Sequence, residues 1–249
     1  MPSKGNNKKV ALFATCLVDL WRPSVGRATK SLIEKAGFSV EVPASQTCCG
    51  QPNWNSGDRM GAAKLARRHI EMFQGFDFVV VPSGSCADMV KNQYPAIFRD
   101  DPEMLKKAQA LSRKTYELSE FMIRVANYKP AKTKGGKRDL AYHDSCSCRR
   151  ALGIETEPRA LIESVGGYQV KEMAGQEICC GFGGLFSVKY GEISSHMAGK
   201  KTATIMATGA KVLTGADLGC LLNLEGKLRA DGQDIEVLHI AEILDGEDQ

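Results

Sequence analysis

Short apolar runs and amphipathic stretches alternate along the chain from about residue 10 onward. Val10–Thr15 is an apolar run of strand length that ends at Cys16, so it reads as a β-strand carrying that cysteine at its C-terminal end. Pro23 fits a helix start. Val25, Ala28, Leu32, Ile33 and Ala36 then recur at helical spacing, and Gly37 fits a C-cap. Phe38–Val42 reads as a second strand closed by Pro43, and the loop after it carries Cys48-Cys49-Gly50. Asp58 suits the cap of a helix through Phe73, and Asp77–Pro82 reads as a third strand followed by Ser83-Gly84-Ser85-Cys86. Residues 93–126 read as helical, broken at Pro95 and Pro102.

The same order returns after a charged, glycine-bearing stretch, Tyr128–Arg138, which reads as a linker. Leu140–His143 is a strand running into Asp144-Ser145-Cys146. Pro158 starts a helix through Val165, Tyr168–Lys171 is a strand, and the next loop holds Cys179-Cys180-Gly181. Ile193–Ala207 is a helix, Lys211–Thr214 a strand leading to a loop with Cys220, Leu221–Ala230 a helix and Ile235–His239 a last strand. The closing Ala241-Glu242-Ile243-Leu244 echoes Ser119-Glu120-Phe121-Met122, so the chain reads as an internal duplication. The expected fold is α/β: two pseudo-repeated lobes over 9–127 and 139–245, joined by a linker over 128–138. Each lobe is expected to be a parallel sheet with right-handed crossovers and flanking helices. Sites in such sheets form at the carboxyl ends of strands, which is where this pattern puts the cysteines.

Composition changes this picture little. At 249 residues, 43% hydrophobic and 25% charged, the chain matches an ordinary globular protein, and a net charge of +4 with scattered cations argues against a nucleic-acid partner. No apolar run reaches the length of a transmembrane segment. Lys8-Lys9, Val10–Thr15 and Cys16 imitate a lipoprotein signal, but the apolar part is too short and Asp19 and Arg22 follow at once. The expected location is therefore cytoplasmic, where nine cysteines point to metal or redox chemistry and not to a disulfide framework.

Eight of those nine cysteines form two sets of the pattern C…CCG…C. Cys16 precedes Cys48 with 31 residues between them and Cys146 precedes Cys179 with 32; Cys86 follows Gly50 after 35 intervening residues and Cys220 follows Gly181 after 38. Four thiolates suit zinc or an iron–sulfur cluster. Two adjacent cysteines crowd a single zinc, whereas a cluster offers each a separate iron. The following glycine permits a tight turn against the cluster. Thiol–disulfide chemistry at the doublets and a zinc-stabilised binding or scaffold protein remain the alternatives.

The duplicated C…CCG…C pattern resembles the cysteine-rich CCG domain family, whose members include the cysteine-rich subunit of heterodisulfide reductase and the iron–sulfur subunit of glycolate oxidase. The resemblance covers about residues 9–245. Cys48–Gly57, His143–Ile154, Cys179–Ser194 and Gly215–Gln233 are similar in particular to its lactate-utilization branch, the CCG subunit of a three-protein bacterial system that oxidises L-lactate. The resemblance implies an iron–sulfur electron-transfer subunit of an oxidoreductase complex converting lactate to pyruvate without NAD. Cys16, Cys48, Cys49 and Cys86, and Cys146, Cys179, Cys180 and Cys220, would hold two 4Fe-4S clusters, one per lobe. It implies other iron–sulfur subunits as partners, and lactate or an electron acceptor as a further ligand. The family pattern often ends in CxxC. Here Met89 and Asn223 stand where the fifth cysteine of each set would be, which argues against the noncubane cluster of the heterodisulfide reductase relatives.

Beside the sets, Cys148 is open between a fourth ligand, an alternate ligand and a free thiol; the resemblance places the ligand at Cys146. His143 reads as a capping or loop hydrogen-bonding group, with ligation or proton transfer as the alternative. His69, His196 and His239 read as structural. Arg149 and Arg150 read either as charge compensation for a cluster or carboxylate, or as a solvated face. Gly181-Phe182-Gly183-Gly184 lacks the Lys-Ser/Thr of a P-loop and reads as clearance for a cluster or partner. There is no flavin or nicotinamide signature and no hydrolytic constellation, so no catalytic residue is assigned.

Overall fold

A computed structural model describes residues 8–130 and 136–246. The polar N-terminal stretch and the centre of the expected linker lie outside the described residues. The chain divides into two compact units, residues 1–127 and 128–249.

The first unit runs β1 (Lys9–Leu12), α1 (Cys16–Trp21), α2 (Pro23–Lys35), β2 (Ser39–Glu41), α3 (Gln51–Asn55), α4 (Arg59–Met72), β3 (Phe78–Val81), α5 (Gly84–Asp88), a π-helical turn (Met89–Gln93), α6 (Tyr94–Ile97), α7 (Pro102–Lys114), β4 (Thr115–Glu117), α8 (Leu118–Glu120) and a second π-helical turn (Phe121–Val125). The second runs β5 (Arg138–His143), a π-helical turn (Ser147–Ala151), α9 (Thr156–Val165), β6 (Tyr168–Lys171), α10 (Phe186–Lys189), α11 (Gly191–Met206), β7 (Val212–Gly215), α12 (Leu218–Ala230), β8 (Glu236–His239) and α13 (Ile240–Asp245).

Both sheets are fully parallel and share one strand order, β2-β1-β3-β4 and β6-β5-β7-β8. Helices cover the central strands, so these strands carry apolar residues on both faces. Val10, Ala11 and Leu12 of β1 and Val79, Val80 and Val81 of β3 are buried, as are Val212 and Leu213 of β7. Val25, Ala28, Leu32 and Ile33 form the buried stripe of α2; each fully buried Val, Leu or Ile contributes about 1.5–3 kcal/mol. The caps are chemical. Asp58 accepts from Gly61 N at 2.9 Å to start α4, and Asp101 accepts from Met104 N at 3.1 Å to start α7.

The run read as helical over 93–126 is not all helix. Thr115–Glu117 is the fourth strand of the first sheet, pairing in register with Val79–Val81. Pro95 breaks nothing, because it sits in the first turn of α6, just past a π-helical turn.

Candidate metal centre

The strand order reverses direction between β1 and β3, and between β5 and β7. At such a switch point the connections leave on opposite faces and open a crevice beyond the carboxyl ends of the strands. Each lobe fills it with four cysteines. In the first, Cys16 opens α1 just after β1, Cys48 and Cys49 lie between β2 and α3, and Cys86 lies in the first turn of α5 after β3. In the second, Cys146 follows β5, Cys179 and Cys180 follow β6, and Cys220 lies in the first turn of α12 after β7.

The sequence pattern puts Cys86 just after the third strand and Cys220 in a loop; each is the third residue of a helix. Ser83 caps α5 by accepting from Cys86 N at 3.5 Å, which fixes that thiol at the positive end of the helix. A serine three residues ahead of a cysteine is the signal in the sequence that could have revealed this.

None of the nine cysteines is in a disulfide. Within each lobe four of them form one hydrogen-bonded chain: Cys16 to Cys48 to Cys49 to Cys86, and Cys146 to Cys179 to Cys180 to Cys220. The Cys180 and Cys220 sulfurs stand 2.9 Å apart. Exposure is matched as well. Cys16, Cys48, Cys146 and Cys179 are half-buried, and Cys49, Cys86, Cys180 and Cys220 are buried. A cleft of about 250 Å³ beside the first set is lined by Thr15, Cys16, Leu20, Val42, Thr47 and Cys48.

The electrostatics repeat with the geometry. Hydrogen bonds from Cys16 and then Cys49 pull the Cys48 thiol down to about 2, helped by the Gly50 N–H at 3.5 Å from its sulfur. Cys146 and then Cys180 do the same for Cys179, also down to about 2, with Gly181 N at 3.4 Å. Thiol hydrogen bonding to those thiolates, then burial, raises Cys16 and Cys146. The first cysteine of each doublet thus accepts hydrogen bonds from the two neighbouring thiols and from the amide of the following glycine.

The doublet loops are held from behind. Tyr94 donates its hydroxyl to the Cys49 carbonyl at 2.8 Å, and Asn223 donates to the Cys180 carbonyl at 2.8 Å. Asn223 therefore fills the missing-cysteine position with a structural bond, while Met89, its counterpart in the first lobe, is buried. Gly50 and Gly181 turn at φ +90° and +82°. A Cβ on Gly181 would meet the Ser194 carbonyl oxygen at 2.6 Å, so the missing side chain makes room for the first turn of α11. Thr15, just before Cys16, holds φ 67°, a strained conformation for a β-branched residue that costs about 1–3 kcal/mol.

His69 is buried, with Nδ1 2.8 Å from the Tyr94 hydroxyl and Nε2 3.3 Å from Thr47 Oγ1; burial lowers it to about 4. His239 accepts from Ala241 N to cap α13, and His196 is exposed. His143 departs from its expected loop or capping role. It is 1% exposed, and neither ring nitrogen has a hydrogen-bond partner among the described residues. Its ligating nitrogen and the sulfurs of Cys180 and Cys220 lie within 4.8 Å of one another. Burial first, then the Lys201 charge, lowers it to about 3.

Arg149 pairs with Glu155 at 3.1 Å. Arg150 donates to the Glu177 carbonyl at 2.8 Å, two residues before Cys179, and its charge favours the Cys146 thiolate. Cys148 is buried in its π-helical turn, its N–H donating to Ser145 Oγ at 3.1 Å.

Tyr94 and the strained Thr15 are the supporting residues that sequence reasoning misses. Tyr94 reaches Cys49 across 45 residues, and no local spacing marks it.

The family model described as "Cysteine-rich domain" (CCG) matches this chain twice, over residues 10–91 and 140–225. Lactate utilization protein A of Bacillus subtilis is 46% identical over 95% of this chain and 98% of its own length. Lactate utilization protein A of Shouchella clausii is 44% identical over 96% of this chain and 99% of its own. Among solved structures, a hypothetical protein from Helicobacter pylori aligns over 97% of this chain with a TM-score of 0.64 at 13% identity, a likeness of fold. This chain spans 50% of the length of that structure. No helix among the described residues is long and apolar enough to cross a membrane.

Proposed function

The chain belongs to the cysteine-rich CCG domain family, within its lactate utilization protein A branch, and from that membership we propose that it is an iron–sulfur subunit serving the oxidation of L-lactate to pyruvate. The observation that carries the reading is the twofold chain of four hydrogen-bonded free thiols at the strand ends. Four thiol donors with two adjacent in sequence fit a 4Fe-4S cluster, where each sulfur takes its own iron, better than one tetrahedral zinc. Cys16, Cys48, Cys49 and Cys86 would hold one cluster, and Cys146, Cys179, Cys180 and Cys220 the other. When bound, such clusters supply one-electron transfer.

The chain's own groups prepare for that charge. The Gly50 and Gly181 amides already donate to thiolate sulfurs, as second-layer groups around clusters do. Arg150 offsets negative charge at Cys146. The half-buried pairs Cys16/Cys48 and Cys146/Cys179 give each site an edge that electrons can reach from a partner subunit. The chain carries no flavin or nicotinamide signature, so any hydride transfer in the system would lie on another subunit.

Anaerobic purification tests this. About eight irons and eight sulfides per chain are expected, four of each per cluster. A strain lacking the gene should fail to grow on L-lactate and recover with the wild-type gene. Iron-free protein containing zinc, or undiminished growth of the deletion strain, overturns the reading.

A further inference from the structure

The two thiol sets match, but the histidines beside them do not. In the first lobe His69 reaches the site from α4 with both ring nitrogens engaged, by Tyr94 and Thr47. In the second, His143 is the last residue of β5. The residue at its position in the first lobe is Phe13: each lies three residues before the first cysteine of its set and one residue after a matched strand pair, Leu12 with Val80 and Tyr142 with Thr214. Phe13 packs on His69, ring centroids 4.8 Å apart, and offers no hydrogen bond. His143 is buried with both nitrogens unpartnered, against Cys180 and Cys220.

An unpaired buried ring nitrogen is costly, about 1–3 kcal/mol, and persists where something compensates it. Two thiol sulfurs, those of Cys180 and Cys220, lie within 4.8 Å of a ring nitrogen. Those four cysteines already supply a donor for each iron of a cluster, so the imidazole is not needed as a ligand. An N–H directed at thiolate sulfur is the remaining chemistry that satisfies both.

We propose that His143 is a positioning residue that donates a hydrogen bond to the thiolate sulfurs of Cys180 and Cys220, making the second cluster the higher-potential one of the two. This rests on the iron–sulfur reading above. A donor to a ligating thiolate stabilises the reduced, more negative cluster and so raises its potential. The duplication would thus yield two unequal stations, which gives electron flow between them a direction.

The test is an EPR-monitored redox titration of anaerobically purified full-length protein, with iron and sulfide counted on each sample. His143→Phe installs the first lobe's residue, His143→Leu removes the donor with a smaller side chain, and His143→Gln keeps an N–H. Two distinct potentials are expected for wild type. In the Phe and Leu variants the higher one should fall by about a tenfold change in the oxidised-to-reduced ratio, which is 59 mV for one electron. The lower potential should stay in place, and Gln should restore most of the loss. An unchanged higher potential in a fully loaded Phe or Leu variant overturns the proposal. So does loss of four irons in all three variants, which would make His143 an iron ligand. A wild-type protein without iron fails the iron–sulfur reading itself and is recognised before any variant is compared.

Discussion

Glu117 shows how one residue sets a property of a lobe. It ends β4, fully buried, and its Oε2 accepts from Ser119 N at 2.8 Å, Glu120 N at 3.2 Å and the Ser119 hydroxyl. Oε1 has no partner. Burial pushes the carboxyl up to about 7 from 4.5. Between those two values the folded chain holds more protons than the unfolded chain. Stability therefore falls as pH rises from about 4.5 to about 7, and the full cost stands above that. The second lobe makes the corresponding cap with His239 and avoids a buried carboxylate. Glu117→Gln keeps the acceptor and removes the ionisation. At about 1.4 kcal/mol per pKa unit, the variant should gain up to about 3 kcal/mol on wild type between pH 5 and pH 8. Urea unfolding at the two pH values reads this, and an equal gap at both would show that Glu117 does not titrate there.

The turn after each doublet is the element that most distinguishes the lobes in packing. Gly50 and Gly181 both adopt left-handed backbone, where an alanine costs about 1–2 kcal/mol. Beyond that they differ. A Cβ at Gly50 would rest in ordinary contact with Leu65 at 3.4 Å, whereas at Gly181 it would strike the Ser194 backbone oxygen at 2.6 Å. Gly50→Ala should therefore cost about 1–2 kcal/mol. Gly181→Ala should add the cost of overpacking, about 1–3 kcal/mol more. Thermal unfolding of the two variants side by side checks the ranking, and equal losses would refute the clash. These turns were legible in the sequence because Cys-Cys-Gly is a local signal. So were β1, β3, β7 and the end of β5, since buried parallel strands are plain apolar runs; the edge strands β2 and β6, before the doublets, are partly exposed and were marked by the glycines that precede them. β4 was not legible: Thr115–Glu117 is three residues joined directly to α7, with no glycine or proline between, and only a β-branched and an aromatic residue to mark it. The helical setting of Cys86 and Cys220 was hidden for the opposite reason, because Ser83-Gly84-Ser85 has the composition of a turn yet caps a helix. His143 needed the structure outright, since a strand-end histidine shows its lack of partners only once its surroundings are known.

For the whole molecule the question is whether a duplicated chain makes one site or two. Each thiol chain draws its residues from a single unit, Cys16 to Cys86 in one and Cys146 to Cys220 in the other. The bonds that hold each doublet, from Tyr94 and from Asn223, are likewise internal to a unit. If each set holds a cluster, two sites built this way should load separately, and metal bound to one should stabilise the fold around that one. Cys49→Ser should therefore lower iron from about eight to about four per chain and leave the second lobe's EPR signal in place. Cys180→Ser should do the reverse. Stability divides in the same way: in each variant the emptied lobe should unfold at a lower temperature while the loaded lobe keeps its transition. If either substitution empties both sites, the lobes depend on one another and the duplication serves a single joint centre. If each removes its own half, the inequality introduced by His143 and Phe13 belongs to two autonomous stations, and a partner subunit that takes electrons from one need not compete with a partner that delivers them to the other.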